Sequence, residues 1–171
     1  MPFTDFLGPC ETCGASNPAQ HVALDQWIVR YVYAPEGSHQ NVKLQVLNSE
    51  QATCYCSLAC ADPGAEAFLA ARGIHPRAYG AGPIEPCAKC GAPINLAEVH
   101  LSYELTEGTL REAENDTLEL HVSDSKTLAK LCENCAADID PLAAASISRQ
   151  VDHVDVACGH RPAVKCTDGD L

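Results

Sequence analysis

Apolar and polar side chains alternate along residues 99–105, Val99-His100-Leu101-Ser102-Tyr103-Glu104-Leu105, and again along 118–122, Leu118-Glu119-Leu120-His121-Val122. Period-two alternation sends successive side chains to opposite faces of a strand. The two runs therefore predict a half-buried antiparallel hairpin with its polar set, His100 and His121 included, toward solvent. The pattern has an earlier counterpart in residues 26–33 and 42–47, joined through Pro35-Glu36-Gly37-Ser38, while Glu107-Gly108 or Asn115-Asp116 supplies the later turn. Trp27, Tyr31 and Tyr33 share one face of the first run, a stripe suited first to core packing and otherwise to a partner surface.

Each hairpin pattern is followed by an Asp-Pro step and an Ala-rich stretch. Aspartate as N-cap with proline at the first helical position predicts helices over 65–72, after Asp62-Pro63 and stopped by Gly73, and over 142–149, after Asp140-Pro141. Between them, 73–86 holds Pro76, Gly80, Gly82, Pro83 and Pro86, the composition of a connector.

Cysteine pairs frame both hairpins. Cys10-Glu11-Thr12-Cys13-Gly14-Ala15 recurs as Cys87-Ala88-Lys89-Cys90-Gly91-Ala92, with 42 residues between Cys13 and Cys56 and 41 between Cys90 and Cys132. The order cysteine pair, hairpin, cysteine pair, helix thus occurs twice, predicting an α+β chain of two duplicated small modules. Residues 1–73 form the first, 74–86 a linker, 87–150 the second and 151–171 a C-terminal tail.

Composition changes how the cysteines are read. The 171 residues are 46% hydrophobic and 20% charged, ordinary for a globular chain, but only 5% aromatic. Halves of such a chain would have thin cores, and small domains of that kind are usually stapled by disulfide or metal. The N-terminus lacks a basic and apolar leader, and no apolar run reaches membrane-spanning length. These features predict a cytoplasmic protein, where a reducing environment makes metal binding the usual reason for 11 cysteines.

Two residues between cysteines let one turn present both sulfurs to one ion, and the following glycine eases that turn. Four sulfurs in tetrahedral array close a structural zinc site. Two such Zn2+ sites are predicted: Cys10, Cys13, Cys56 and Cys60, then Cys87, Cys90, Cys132 and Cys135. Disulfides, buried thiols or redox pairs are the competing readings, but these pairs open hairpins rather than strand-to-helix turns. Cys54 can replace Cys56 as a ligand, although Cys56 aligns with Cys132. His153, Cys158, His160 and Cys166 in the tail have the residue types, but no recognised spacing, for a third metal.

With knuckle, hairpin, second pair and helix in that order, the chain resembles the treble-clef and zinc-ribbon zinc fingers over residues 10–73 and 87–149. Tyr55-Cys56-Ser57-Leu58-Ala59-Cys60 is similar to an aromatic-Cys-Ser-x-x-Cys element of some treble clefs. The resemblance implies one zinc per module and no particular activity.

The formal charge of −12 disfavours direct nucleic-acid binding, because phosphate contacts need a basic stripe and the 11 Lys and Arg are scattered. Two filled four-thiolate sites would take that charge to about −16. Catalytic signatures such as a phosphate loop, a nucleophile elbow or a His-Glu-x-x-His helix are absent from the sequence. The expected function is a non-enzymatic, zinc-binding protein-interaction or regulatory protein whose partner is another protein, basic if charge decides. An acidic inhibitor of a nucleic-acid-binding protein, such as a phage or mobile-element antagonist, and a transcription-related zinc ribbon are the alternatives.

Overall fold

A computed structural model describes residues 8–16, 20–34, 42–80, 82–112, 118–141, 145 and 147. Strands β1 (Gln20–Val32) and β2 (Lys43–Tyr55) form the first hairpin, and β5 (His100–Glu112) and β6 (Leu118–Leu131) the second. Short strands β3 (Ile84–Pro86) and β4 (Pro93–Asn95) pair around the second knuckle. The helices are α1 (Leu58–Ala70) and α2 (Glu133–Ile139). Among the described residues no helix is long and apolar enough to cross a membrane.

The hairpins are not separate layers. β1 pairs antiparallel with β5, so all four long strands make one sheet in the order β2-β1-β5-β6. Because β1 and β5 run oppositely, the base of one hairpin lies beside the far end of the other.

The two hairpins also repeat each other pair by pair. Val22↔Tyr55 corresponds to Leu101↔Leu131, which lie 79 residues further on in the inner strand and 76 in the outer. Those two offsets carry every β1–β2 pair onto a β5–β6 pair, down to Val32↔Lys43 and Arg111↔Glu119. They also carry the bulge at Ala52 onto Leu128 and the bulge at Leu47 onto Ser123. A bulge swaps the faces of all later residues, so matching bulges keep the two patterns aligned along their whole length. Across the central seam, the residues that face each other at the same 79-residue offset are Asp25 and Glu104.

One face of the sheet carries the apolar core. Val22, Leu24 and Ile28 of β1 and Leu101, Tyr103 and Leu105 of β5 are buried there with Ala61, Ala65 and Leu69 of α1 and Ala136 of α2. The Phe68 ring meets Tyr103 edge-on at 6.4 Å. Gln26 bridges this layer, accepting from the Tyr103 hydroxyl at 3.1 Å and donating to Asp140 at 3.1 Å.

The opposite face corrects the expectation of a solvated polar side. His100, Ser102, Glu104 and Thr106 are all buried, as are Asp25 and Lys130 beside them, whereas His121 is exposed as expected. The connector and the turn after β4 explain part of this, since the Tyr33 hydroxyl donates to Gly82 O at 2.8 Å and the Tyr31 backbone N–H to Leu96 O at 2.7 Å. Tyr31 and Tyr33 accordingly pack against the core, where Tyr31 stacks on Tyr33 and on His100.

The first helix begins earlier than its Asp-Pro step suggests, and a second one precedes the other step. α1 has Ser57 as its N-cap, whose hydroxyl accepts from the Cys60 N–H, so Pro63 falls inside the helix rather than at its start. α2, which lies ahead of the Asp140-Pro141 step, is capped by Cys132 and closed by Asp140. Pro141, Ala145 and Ile147 have helical backbone beyond that point, with Ile147 buried in the core.

Candidate metal centres

Each knuckle is built by the same local bonds. The Gly14 N–H donates to Cys10 O at 2.7 Å and the Cys10 N–H to Ala15 O at 2.9 Å; Gly91 to Cys87 O and Cys87 to Ala92 O repeat these at 2.9 and 2.8 Å. Gly14 and Gly91 sit at φ of +73° and +76°, a region that a Cβ strongly disfavours. Each knuckle is then tied to the end of its own hairpin, by Glu11 N–H to Cys54 O at 3.0 Å and by Ala88 N–H to Lys130 O at 2.9 Å.

The second pair enters from the other side of the hairpin. Cys56 follows β2 and Cys60 lies in the first turn of α1, while Cys132 follows β6 and Cys135 lies in the first turn of α2. Helices that start at Ser57 and Cys132 are therefore what bring the later cysteines to the knuckles. Cys10, Cys13, Cys56 and Cys60 form one group and Cys87, Cys90, Cys132 and Cys135 the other, with the sulfurs of each group all within 4.8 Å of one another.

The sulfur spacing tests the fit to zinc. Four sulfurs about 2.3 Å from a central ion define a tetrahedron with edges of about 3.8 Å, whereas a disulfide holds its sulfurs at about 2.05 Å. Cys13 and Cys56 lie 3.6 Å apart, Cys56 and Cys60 3.7 Å, and Cys90 and Cys132 3.7 Å. Both groups are compatible with four-cysteine zinc sites. Zinc bound there would supply a cross-link between knuckle, hairpin and helix.

Ionisation of the groups is uneven. Burial works to raise the Cys10 thiol, but hydrogen bonds from the backbone at Cys56, Cys13 and Thr12 and from the Cys13 side chain outweigh it and bring it down to about 6. Cys87 follows the same logic, burial against backbone bonds from Cys132, Cys90 and Lys89, and comes down to about 7. Cys135 is pushed strongly upward, by burial first and then by its three companion thiols. Four thiols crowded together resist ionising jointly, and a divalent cation among them reverses that resistance.

Cys54 is buried but belongs to neither group; its sulfur lies 3.6 Å from the Pro9 carbonyl oxygen. The tail residues His153, Cys158, His160 and Cys166 lie outside the described residues. The two groups sit at opposite ends of the sheet, since Val22 begins one hairpin base and Ile28, six residues on, faces Leu101 at the other base. Six strand residues span about 20 Å. Sequence reasoning missed the buried polar residues of the sheet, because alternation marks two faces without saying that both are covered. Comparison of the chain with protein-family models, curated proteins and solved structures finds no match.

Proposed function

We propose that this chain is a non-enzymatic, zinc-stapled scaffold of two duplicated treble-clef-like modules that binds a basic protein partner in the cytoplasm. The observation that carries the reading is the pair of four-cysteine groups, because a zinc held by four thiolates has no open position for water or substrate. The treble-clef assignment draws support from the order within each group, where a knuckle precedes a hairpin and the last cysteine lies in the first helical turn. Duplication is favoured by the shared register and the shared bulges, since unrelated hairpins have no reason to place two bulges at matching positions.

The acidic charge favours a basic protein over nucleic acid. Val46 on β2 and Val122 on β6 occupy equivalent positions, are 44% and 50% exposed, and belong to the two outer strands. With Leu44 they offer apolar anchors to a partner on strands whose outer edges end the sheet.

The test uses the zinc-loaded full chain. Expected are about two zinc per chain, no retention on immobilised DNA at moderate salt, and capture of a basic protein that the Val46→Glu, Val122→Glu double variant loses while keeping its metal. Retention on DNA, or capture unchanged in the double variant, overturns the reading.

A further inference from the structure

Three adjoining clefts lie between α1, the connector and the outer strand β6, with volumes of about 490, 310 and 190 Å³. Lys126 lines all three; the first two also share Pro76 and Leu128, and the last two share Asp62. They therefore form one groove, from Arg77 and Tyr79 of the connector to Leu58 at the start of α1. Its apolar lining includes Leu105, Leu128 and the exposed Leu58.

Charge is unevenly placed along it. Asp62 and Glu66, four residues apart on α1, are neighbours on one helix face, and both are exposed. Like charges so spaced destabilise a helix, and a cation lying over both reverses the effect. Asp124 of β6 lines the same half of the groove. These three carboxylates exceed the single charge of Lys126, with which they share that half. At the connector end Arg77 joins Lys126, so the negative stretch stops there.

The outer edge of β6 favours an extended occupant. An edge strand offers its backbone groups to another chain, and the Arg77 N–H of the connector already donates to Leu128 O at 3.0 Å.

We propose that this groove holds an extended, basic segment of the protein partner, with Lys or Arg side chains over Asp62, Glu66 and Asp124 and apolar ones against Leu58 and Leu105. The inference rests on the reading that the partner is basic, and gives it a docking site apart from Val46 and Val122, neither of which lines the clefts. Complementary charge steers such a segment in and fixes its register, because the basic stretch has to end before Arg77.

The experiment titrates the zinc-loaded full chain with a labelled decapeptide of alternating Arg and Val, read by fluorescence anisotropy at about 100 mM salt and by amide shifts in NMR. Binding should shift the amides of Leu58, Asp62, Leu105 and Leu128. It should weaken about fivefold in the Asp62→Asn, Glu66→Gln double variant and tighten in Lys126→Glu. The Glu50→Gln, Glu98→Gln double variant removes the same charge on β2 and after β4, and should bind as wild type does. If the Asp62→Asn, Glu66→Gln variant loses its zinc, Lys126→Glu and the amide shifts decide. No binding, equal weakening in the two double variants, shifts confined to other parts of the sheet, or unchanged affinity in Lys126→Glu overturns the groove. None of these results touches the scaffold reading, whose own test is capture of a basic protein and its loss in the Val46→Glu, Val122→Glu variant.

Discussion

The backbone N–H of Cys132 points at the sulfur of Cys87, 3.5 Å away, so a cysteine of the second pair donates to the first cysteine of the knuckle. Such donors favour the thiolate and hold its lone pairs in place for an ion. Zinc should therefore bind stoichiometrically, about two per chain, with release of protons from thiols such as Cys135 that stay protonated without it. Calorimetry in buffers of different ionisation heat measures that release. Chelation should unfold the chain, and a fully folded, metal-free, reduced protein would falsify the stapling role.

The two centres should differ in exchange. Each has a buried first cysteine (Cys10, Cys87), an exposed second (Cys13, Cys90) and a half-buried third (Cys56, Cys132), but the fourth is half-buried in the first centre (Cys60) and buried in the second (Cys135). A chelator reaches the less buried Cys60 more readily than Cys135, so zinc loss should be biphasic with the first centre emptying faster. Cys13→Ser should remove the fast phase and Cys90→Ser the slow one, as followed with a coloured zinc indicator. A single phase in the wild type contradicts the assignment.

Gly64 on α1 lies where the helix meets the first knuckle and hairpin. A Cβ there would come to 2.5 Å from both Thr12 Oγ1 and Tyr55 Cε1. Alanine normally gains about 1 kcal/mol over glycine inside a helix, but overpacking of this kind costs about 1 to 3 kcal/mol. Gly64→Ala should be net destabilising in denaturant melts and should speed zinc loss from the first centre, leaving the second unchanged.

Acid should expose the burial of His100. Desolvation lowers its ring to about 4 from 6.5, with Lys130 adding to the effect and a bond to the Glu98 carbonyl opposing it. The unfolded chain takes up this proton below pH 6.5 while the folded chain refuses it until about pH 4, so stability present above 6.5 drains away across that window. The full loss is on the order of 3 kcal/mol. His100→Phe keeps a ring beside Tyr31 and should show a shallower decline between pH 6.5 and 5 than wild type, with acid effects on zinc common to both. Parallel declines would remove His100 from the account.

Cysteine spacing made the metal groups legible, because four thiols need little beyond two tight turns and a hairpin of fixed length. Strand existence was legible too, but not strand extent. Bulges at Leu47, Ala52, Ser123 and Leu128 shift the parity of β2 and β6, so alternation breaks where the strands continue. The start of the first helix was misread because Asp62-Pro63 has the chemistry of an N-cap while Ser57 holds that position, and α2, begun by Cys132 next to the sulfurs, was overlooked ahead of Asp140-Pro141. The burial of Glu104 and Lys130 depends on β1 joining β5, a contact between distant segments to which local pattern is blind.

The seam between β1 and β5 gives each half a share in the other's order. An inner strand that has lost the ion at its own base still lies hydrogen-bonded against a neighbour whose base remains clamped. In a zinc-starved cell, molecules carrying a single ion would thus keep a template along which the emptied half re-forms once metal returns.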